Sequence, residues 1–315
     1  MAEPIIQVRG LTKSFGTRIA VEDLNLDVHK GEAVTLLGPN GVGKTTTVRI
    51  LTCLLRPTRG EVRVMGRSID SPEGRQFIRS RVGLLTESPG LYDRATTRYN
   101  LLYFARLYGL DDPEQSVERY LRQLELWEYR DAVAASLSKG LKQRLAIARS
   151  LLHEPEIIFL DEPTSGLDPA AARKLRDFLL LLKKEGRTIF VTTHNLAEAE
   201  RLADRIVVMK TRPIAIDTPA ALRERLFGHR VRVATDRIPQ AAMDRIESFP
   251  FVRDVSRRDG CLWLGVDDPE LHNPQIVAAL TEAGVGIRWV TDDGASLEDI
   301  YLELVDEKGN LEAPA

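Results

Sequence analysis

Short runs of apolar residues alternate with longer stretches of helical periodicity through about residue 226, the pattern of an α/β domain built on a largely parallel sheet. Leu24, Leu26 and Val28 alternate with Asn25 and Asp27, as in a strand with one wet face. The runs 34–37, 82–85, 157–160, 188–192 and 206–209 are compact and predominantly apolar and suit buried strands. Helices are predicted near 44–54, 169–184 and 195–202. Residues 97–152 differ: Leu101, Leu102, Phe104, Ala105 and Tyr108, then Val117, Leu121 and Leu124, recur at helical spacing with no strand between, which predicts an inserted helical subdomain. Beyond Gly228 the order becomes strand 231–234, helix 239–248, two strands turning at Asp259-Gly260, helix 274–283 and strand 287–290. Asp-Gly between apolar runs is a hairpin signal, and βαββαβ is the ferredoxin-like order. A last helix is predicted from Ser296, with Asp299 three residues on completing a near capping box.

Charge sharpens that division. Residues 229–315 hold 9 basic and 17 acidic side chains, net -8, against 35 and 29, net +6, for residues 1–228. The expected domains are therefore 1–227 and 228–315. The 315 residues are 43% hydrophobic and 29% charged, too apolar for disorder, and no stretch reaches the roughly 18 apolar residues of a membrane span. The N-terminus lacks the basic head and apolar stretch of a secretory signal, which predicts a cytoplasmic chain. Cys53 and Cys261 form no C-x-x-C pair, so they read as packing residues. No dense basic stripe is present to neutralise nucleic-acid phosphates, and no nucleic-acid partner is expected.

Gly38-Pro39-Asn40-Gly41-Val42-Gly43-Lys44-Thr45 fits G-x-x-x-x-G-K-[ST] between an apolar strand and a helix. Its glycines let successive backbone N–H groups converge on phosphate oxygens, Lys44 adds a full charge, and Thr45 is suited to ligate Mg²⁺, with Thr46 beside it. The strand 157–160 then delivers Asp161 and Glu162 at its C-terminal end. Asp161 is placed to hold the Mg²⁺ shell and Glu162 to orient or deprotonate a water.

Leu137-Ser138-Lys139-Gly140-Leu141-Lys142-Gln143-Arg144 opens a helix with Ser138 as N-cap. Here the sequence resembles the ATP-binding cassette (ABC) ATPases, whose signature is typically L-S-G-G-x-x-Q. The resemblance runs through most of residues 5–226. It implies that Ser138, Gly140 and Gln143 grip the γ-phosphate of ATP held by a second copy, and that Ser165 and Asp168, in Ser165-Gly166-Leu167-Asp168, lie along the interface of a head-to-tail homodimer. It implies that His194 contacts the γ-phosphate, that Phe15 stacks on adenine, and that Glu87, where the family usually has Gln, reaches the metal. Lys139, replacing a signature glycine, puts a positive charge beside the phosphate. The fold implied is a P-loop NTPase cassette, α/β, with a mostly parallel sheet, antiparallel N-terminal strands and a helical subdomain, followed by a small α+β domain.

With no span of its own, such an ATPase needs a separate transmembrane permease subunit, so it would sit peripherally on the cytoplasmic face of the membrane. Tyr92 and Tyr103 lie in the region where the family docks that subunit. "Ser-Pro-Gly-Leu-Tyr" at 88–92 and "Ser-Leu-Glu-Asp-Ile-Tyr" at 296–301 resemble bacterial exporters of drugs, antibiotics, ions or polysaccharides. An importer would favour a β-barrel-like tail. A soluble repair or ribosomal cassette needs a long coiled coil or a second cassette, and neither pattern is present. His29, His153, His229 and His272 fit no metal or catalytic spacing.

Overall fold

The computed structural model describes residues 3–222, 229–235, 238–258 and 260–292. The chain divides into two compact units, residues 1–216 and 217–315. The helix expected from Ser296 and the 296–301 motif lie outside the described residues.

In the first unit, β1 (Ile6–Phe15), β2 (Arg18–Val28), β4 (Arg59–Val64) and β5 (Arg67–Ser68) form a sheet of order β2-β1-β4-β5, antiparallel throughout. The second sheet runs β10-β9-β3-β8-β7-β6. Its members are β3 (Ala33–Leu37), β6 (Val82–Leu85), β7 (Ile157–Asp161), β8 (Thr188–Thr193), β9 (Arg205–Met209) and β10 (Pro213–Asp217), and β9, β3, β8, β7 and β6 are parallel. Every residue of β3, β7 and β8 is buried, as expected of strands covered on both faces.

Strand alternation splits the core in two. Ile157, Phe159 and Phe190 face the antiparallel sheet with α1 (Lys44–Leu51) and α2 (Pro72–Arg79). Ile158, Leu160, Ile189 and Val191 face the helical side, made by α3 (Thr97–Leu107), α4 (Pro113–Gln123), α5 (Lys139–Leu151), α6 (Pro169–Lys184) and α7 (Leu196–Leu202). On that side Trp127 lies under two guanidinium groups, Arg122 at 4.0 Å and Arg130 at 4.8 Å from its ring. His153 stacks on Tyr108 with centroids 4.2 Å apart, and its Nε2 lies 3.1 Å from the Val82 carbonyl; burial pushes its pKa down.

The second unit follows βαββαβ: β11 (His229–Thr235), α8 (Gln240–Glu247), β12 (Val252–Arg258), β13 (Cys261–Val266), α9 (Pro269–Glu282) and β14 (Ile287–Asp292). The sheet order β12-β13-β11-β14, antiparallel at every step, is the ferredoxin-like arrangement. Val231, Val233, Leu262 and Leu264 pack with Ile246, Ile276 and Leu280 of the helices. On the sheet's other residues, the Arg232 guanidinium stands 5.1 Å from the Trp263 ring and 4.8 Å from that of Trp289.

Two expectations need correcting. α9 begins at Pro269, not Pro274, which lies inside the helix. Asp268 Oδ1 accepts the Leu271 N–H at 3.1 Å, and Pro269 sits in the first turn, where a missing donor costs nothing. The first helix is likewise shorter than expected, ending at Leu51 before Cys53 turns to φ 60°.

Candidate functional site

Parallel register brings the chemistry to one edge. Leu37 pairs with Thr193, Thr192 with Asp161, and Leu85 with Leu160. The segments leaving β3, β8, β7 and β6 therefore emerge side by side at the strands' C-terminal ends, where open α/β sheets bind ligands.

The loop after β3 has no room for side chains at two positions. An added Cβ would stand 2.6 Å from the Met209 carbonyl oxygen at Gly38, and 2.1 Å from that of Ala20 at Gly43, whose φ is 99°. Pro39 and Asn40 are exposed; Gly41 is left-handed at φ 86°, and its carbonyl accepts from Arg18 at 3.3 Å. Helix α1 starts here without a side-chain cap. By contrast Ser71, Thr96, Asp112, Ser138, Asp168 and Asn195 each accept a first-turn N–H of α2 to α7. The uncapped N–H groups of α1 make a cradle for an anion.

Lys44 is 5% exposed, and its Nζ donates to Gly38 O at 2.6 Å and Pro39 O at 3.1 Å. It lies 3.1 Å from Glu162 Oε1, an ion pair without hydrogen-bond alignment. Glu162 Oε2 meets His194 Nδ1 at 2.8 Å; a carboxylate only accepts, so Nδ1 carries the proton. Glu162 has φ 50°, and its N–H reaches Thr192 O at 3.0 Å, which turns the chain sharply out of β7. Asp161 is 2% exposed and accepts from Thr192 Oγ1 at 2.5 Å. Lys44, Asp161, Glu162 and His194 thus form one connected cluster, through contacts that a linear sequence does not reveal.

Other expected site residues sit elsewhere. Ser138 is exposed, and its Oγ accepts the Leu141 N–H at 3.3 Å. The Lys139 ammonium rests where a side chain at Gly166 would be, and an added Cβ on Gly140 would come 3.5 Å from that of Ala171, so the start of α5 lies against the 165–168 segment of its own chain. Gln143 is buried, with its amide donating to Pro163 O at 2.8 Å. Asp168 caps α6, accepting from Ala170 and Ala171 at 3.1 and 2.9 Å. Ser165 donates its N–H to Glu162 O at 3.1 Å. Phe15 is half exposed beneath the Lys13 ammonium, 5.0 Å from its ring centroid.

Magnesium fits the donor set. Thr45 and Thr46 are half-buried in the first turn of α1, Asp161 is a carboxylate at the same edge, and Glu87 is exposed two residues past β6. Among the described residues no three His, Cys, Asp or Glu side chains cluster as a metal cage. Magnesium is usually held by one or two protein oxygens completed by phosphates, which is what these residues offer.

Two features escaped the sequence reading. Arg149 donates to Pro89 O and Gly90 O at 2.6 and 2.7 Å and lies 5.0 Å from the Phe104 ring, beside the exposed pair Tyr92 and Tyr103. Glu198 is fully buried, and burial pushes its pKa up. Neither lies in a motif with a spacing rule.

The family model described as ABC transporter matches residues 21–165. The chain is 36% identical over 302 residues to Nod factor export ATP-binding protein I of Burkholderia lata, covering 95% of this chain and 96% of that protein. It is 37% identical over 315 residues to the bacitracin transport ATP-binding protein BcrA of Bacillus licheniformis, covering 96% and 97%. Among solved structures, a dimeric ATP-binding cassette in a post-hydrolysis state, bound to ADP and Pi, superposes with a TM-score of 0.63 at 28% identity, over 68% of this chain and 98% of that one.

Proposed function

The chain belongs to the ABC transporter family as an ATP-binding, ATP-hydrolysing subunit, and from that premise we propose that two copies, trapping two ATP and Mg²⁺ between them, drive export through a separate transmembrane permease. The connected cluster Lys44–Glu162–His194 at the strand ends carries this reading. Lys44 and the uncapped N–H groups of α1 bind the phosphates, and Thr45, Asp161 and Glu87 hold the metal. When bound, magnesium neutralises phosphate charge and polarises the bond to be cleaved. Glu162 orients the attacking water and takes its proton, while the His194 N–H that rests on Glu162 transfers to the γ-phosphate, which leaves the carboxylate free to act as base.

Ser138 and Gly140 of one copy complete the site of the other, and Phe15 stacks on the adenine. Gln143 supports that grip from beneath, through Pro163. Nucleotide adds contacts that separated copies lack, so it shifts the population towards the closed pair, and hydrolysis releases it. Export as the direction is supported by the relative whose name carries Nod factor export, and transport by the bacitracin transport relative.

Among the described residues no helix is long and apolar enough to cross a membrane. The exposed Tyr92 and Tyr103, edge to face at 5.3 Å, supply an aromatic surface for the permease. A tagged full-length chain is expected to be recovered from detergent-extracted membranes with a second polypeptide bearing several apolar segments of about 20 residues. Recovery of the tagged chain alone would remove the transport role.

Glu87→Gln restores the family's usual amide. If the carboxylate simply stands in as an oxygen donor, basal ATP hydrolysis should stay within about tenfold of wild type. A larger fall, reversed by raising magnesium, would show that its charge matters for metal affinity.

A further inference from the structure

Beneath the catalytic pair lies a second bridge between the same two turns. Glu198, on α7, is fully buried. Its Oε2 accepts two hydroxyl hydrogens at once, from Thr164 Oγ1 at 2.8 Å and from Thr193 Oγ1 at 2.7 Å. Thr164 is two residues after Glu162, and Thr193 immediately precedes His194. The contacts therefore close a ring that runs from Glu162 through Thr164, Glu198, Thr193 and His194 back to Glu162.

The two sides of that ring differ in surroundings. The His194 side chain is 53% exposed, so its bond to Glu162 competes with water and is free to exchange for a phosphate. The Glu198 bonds are shielded, and hydrogen bonds in a low dielectric hold more firmly. Each hydroxyl has one hydrogen to give and gives it to Oε2, and Thr193 Oγ1 is further fixed by accepting the Asn195 N–H at 3.0 Å. From the other side, Gln143 holds Pro163 O. The Glu162 turn is thus clamped between α5 and α7.

We propose that Glu198 is a positioning residue of the hydrolytic site, whose buried carboxyl fixes the Glu162 turn against the His194 turn so that base and histidine face one γ-phosphate. This rests on the hydrolytic reading above. Glu198 itself touches neither water nor nucleotide. Its loss lowers the rate of the chemical step and leaves phosphate binding at Lys44 intact, because misplacing a base by about 1 Å costs up to about 100-fold.

The test is steady-state ATP hydrolysis by the purified full-length chain, with melting temperature measured alongside. Glu198→Leu, of similar volume, should lower kcat by about 30-fold with KM for ATP within about threefold, whatever the shift in melting temperature. Glu198→Gln keeps an oxygen that accepts both hydroxyls, so it should recover most of that loss. Should Glu198→Leu fail to fold, Thr164→Val removes one arm of the clamp and should lower kcat alone, by about tenfold. A kcat close to wild type in Glu198→Leu, a loss carried by KM, or a Glu198→Gln variant as impaired as the leucine would each overturn the proposal. A wild-type chain without turnover would instead sink the hydrolytic reading itself.

Discussion

Glu162→Gln is expected to stop turnover while leaving ATP bound, so that the purified variant runs as a dimer in ATP and magnesium and as a monomer without them. Glutamine cannot take the proton of an attacking water, and removing a general base costs about 100- to 10,000-fold. Little else changes at this position. The amide oxygen still accepts from His194 Nδ1, the turn at φ 50° suits glutamine as well as glutamate, and Lys44 loses an anion that competes with phosphate. Affinity for ATP should therefore hold or rise. Size-exclusion chromatography with nucleotide quantified in each peak decides the matter: a monomer carrying ATP would count against two copies sharing the nucleotide.

Lys44→Ala should abolish nucleotide binding at ordinary millimolar concentrations. A charge-assisted hydrogen bond to phosphate contributes about 1.5–3 kcal/mol, roughly 10- to 150-fold in affinity, and on the proposed reading a triphosphate would engage this one ammonium through more than one oxygen. The change also strands Glu162, 11% exposed, without its cation. Breaking such a pair costs about 3–5 kcal/mol when wholly buried, so the empty protein should melt lower as well. Titration calorimetry with ATP is the measurement, and wild-type affinity in the variant would take Lys44 out of the phosphate site.

These two residues also show how far the sequence reaches. The phosphate loop is legible because its chemistry is local: Gly43 must lack a side chain where the Ala20 carbonyl passes, and Lys44 follows it directly. The fully buried strands are legible because burial on both faces leaves them predominantly apolar. Their neighbours are another matter. β4, reading Arg-Gly-Glu-Val-Arg-Val, has a charged outer face, and its pairing with β1 depends on a partner about 50 residues away.

Pro269 and Pro274 both carry a helix-start signal, and only the Asp268 cap separates them. In the site, the residues of the cluster can be named from motifs, but their pairing needs the register of β3, β8 and β7. Glu198 is invisible for the same reason. Within the sequence it is an acidic residue on a short helix, and only the fold closes over it and aims two threonine hydroxyls at one oxygen.

The three tryptophans are distributed unevenly: Trp263 and Trp289 flank Arg232 in the smaller unit, and Trp127 sits under guanidinium groups in the helical region. None lies in the phosphate loop or in the strands that present Asp161 and Glu162. An unfolding curve followed by indole emission therefore sums two reports, Trp263 and Trp289 on the smaller unit and Trp127 on the larger one, where it packs against the core that holds Ile158 and Leu160 of β7. A midpoint taken from it assigns a single stability to the chain only where separate probes of the two units give the same value.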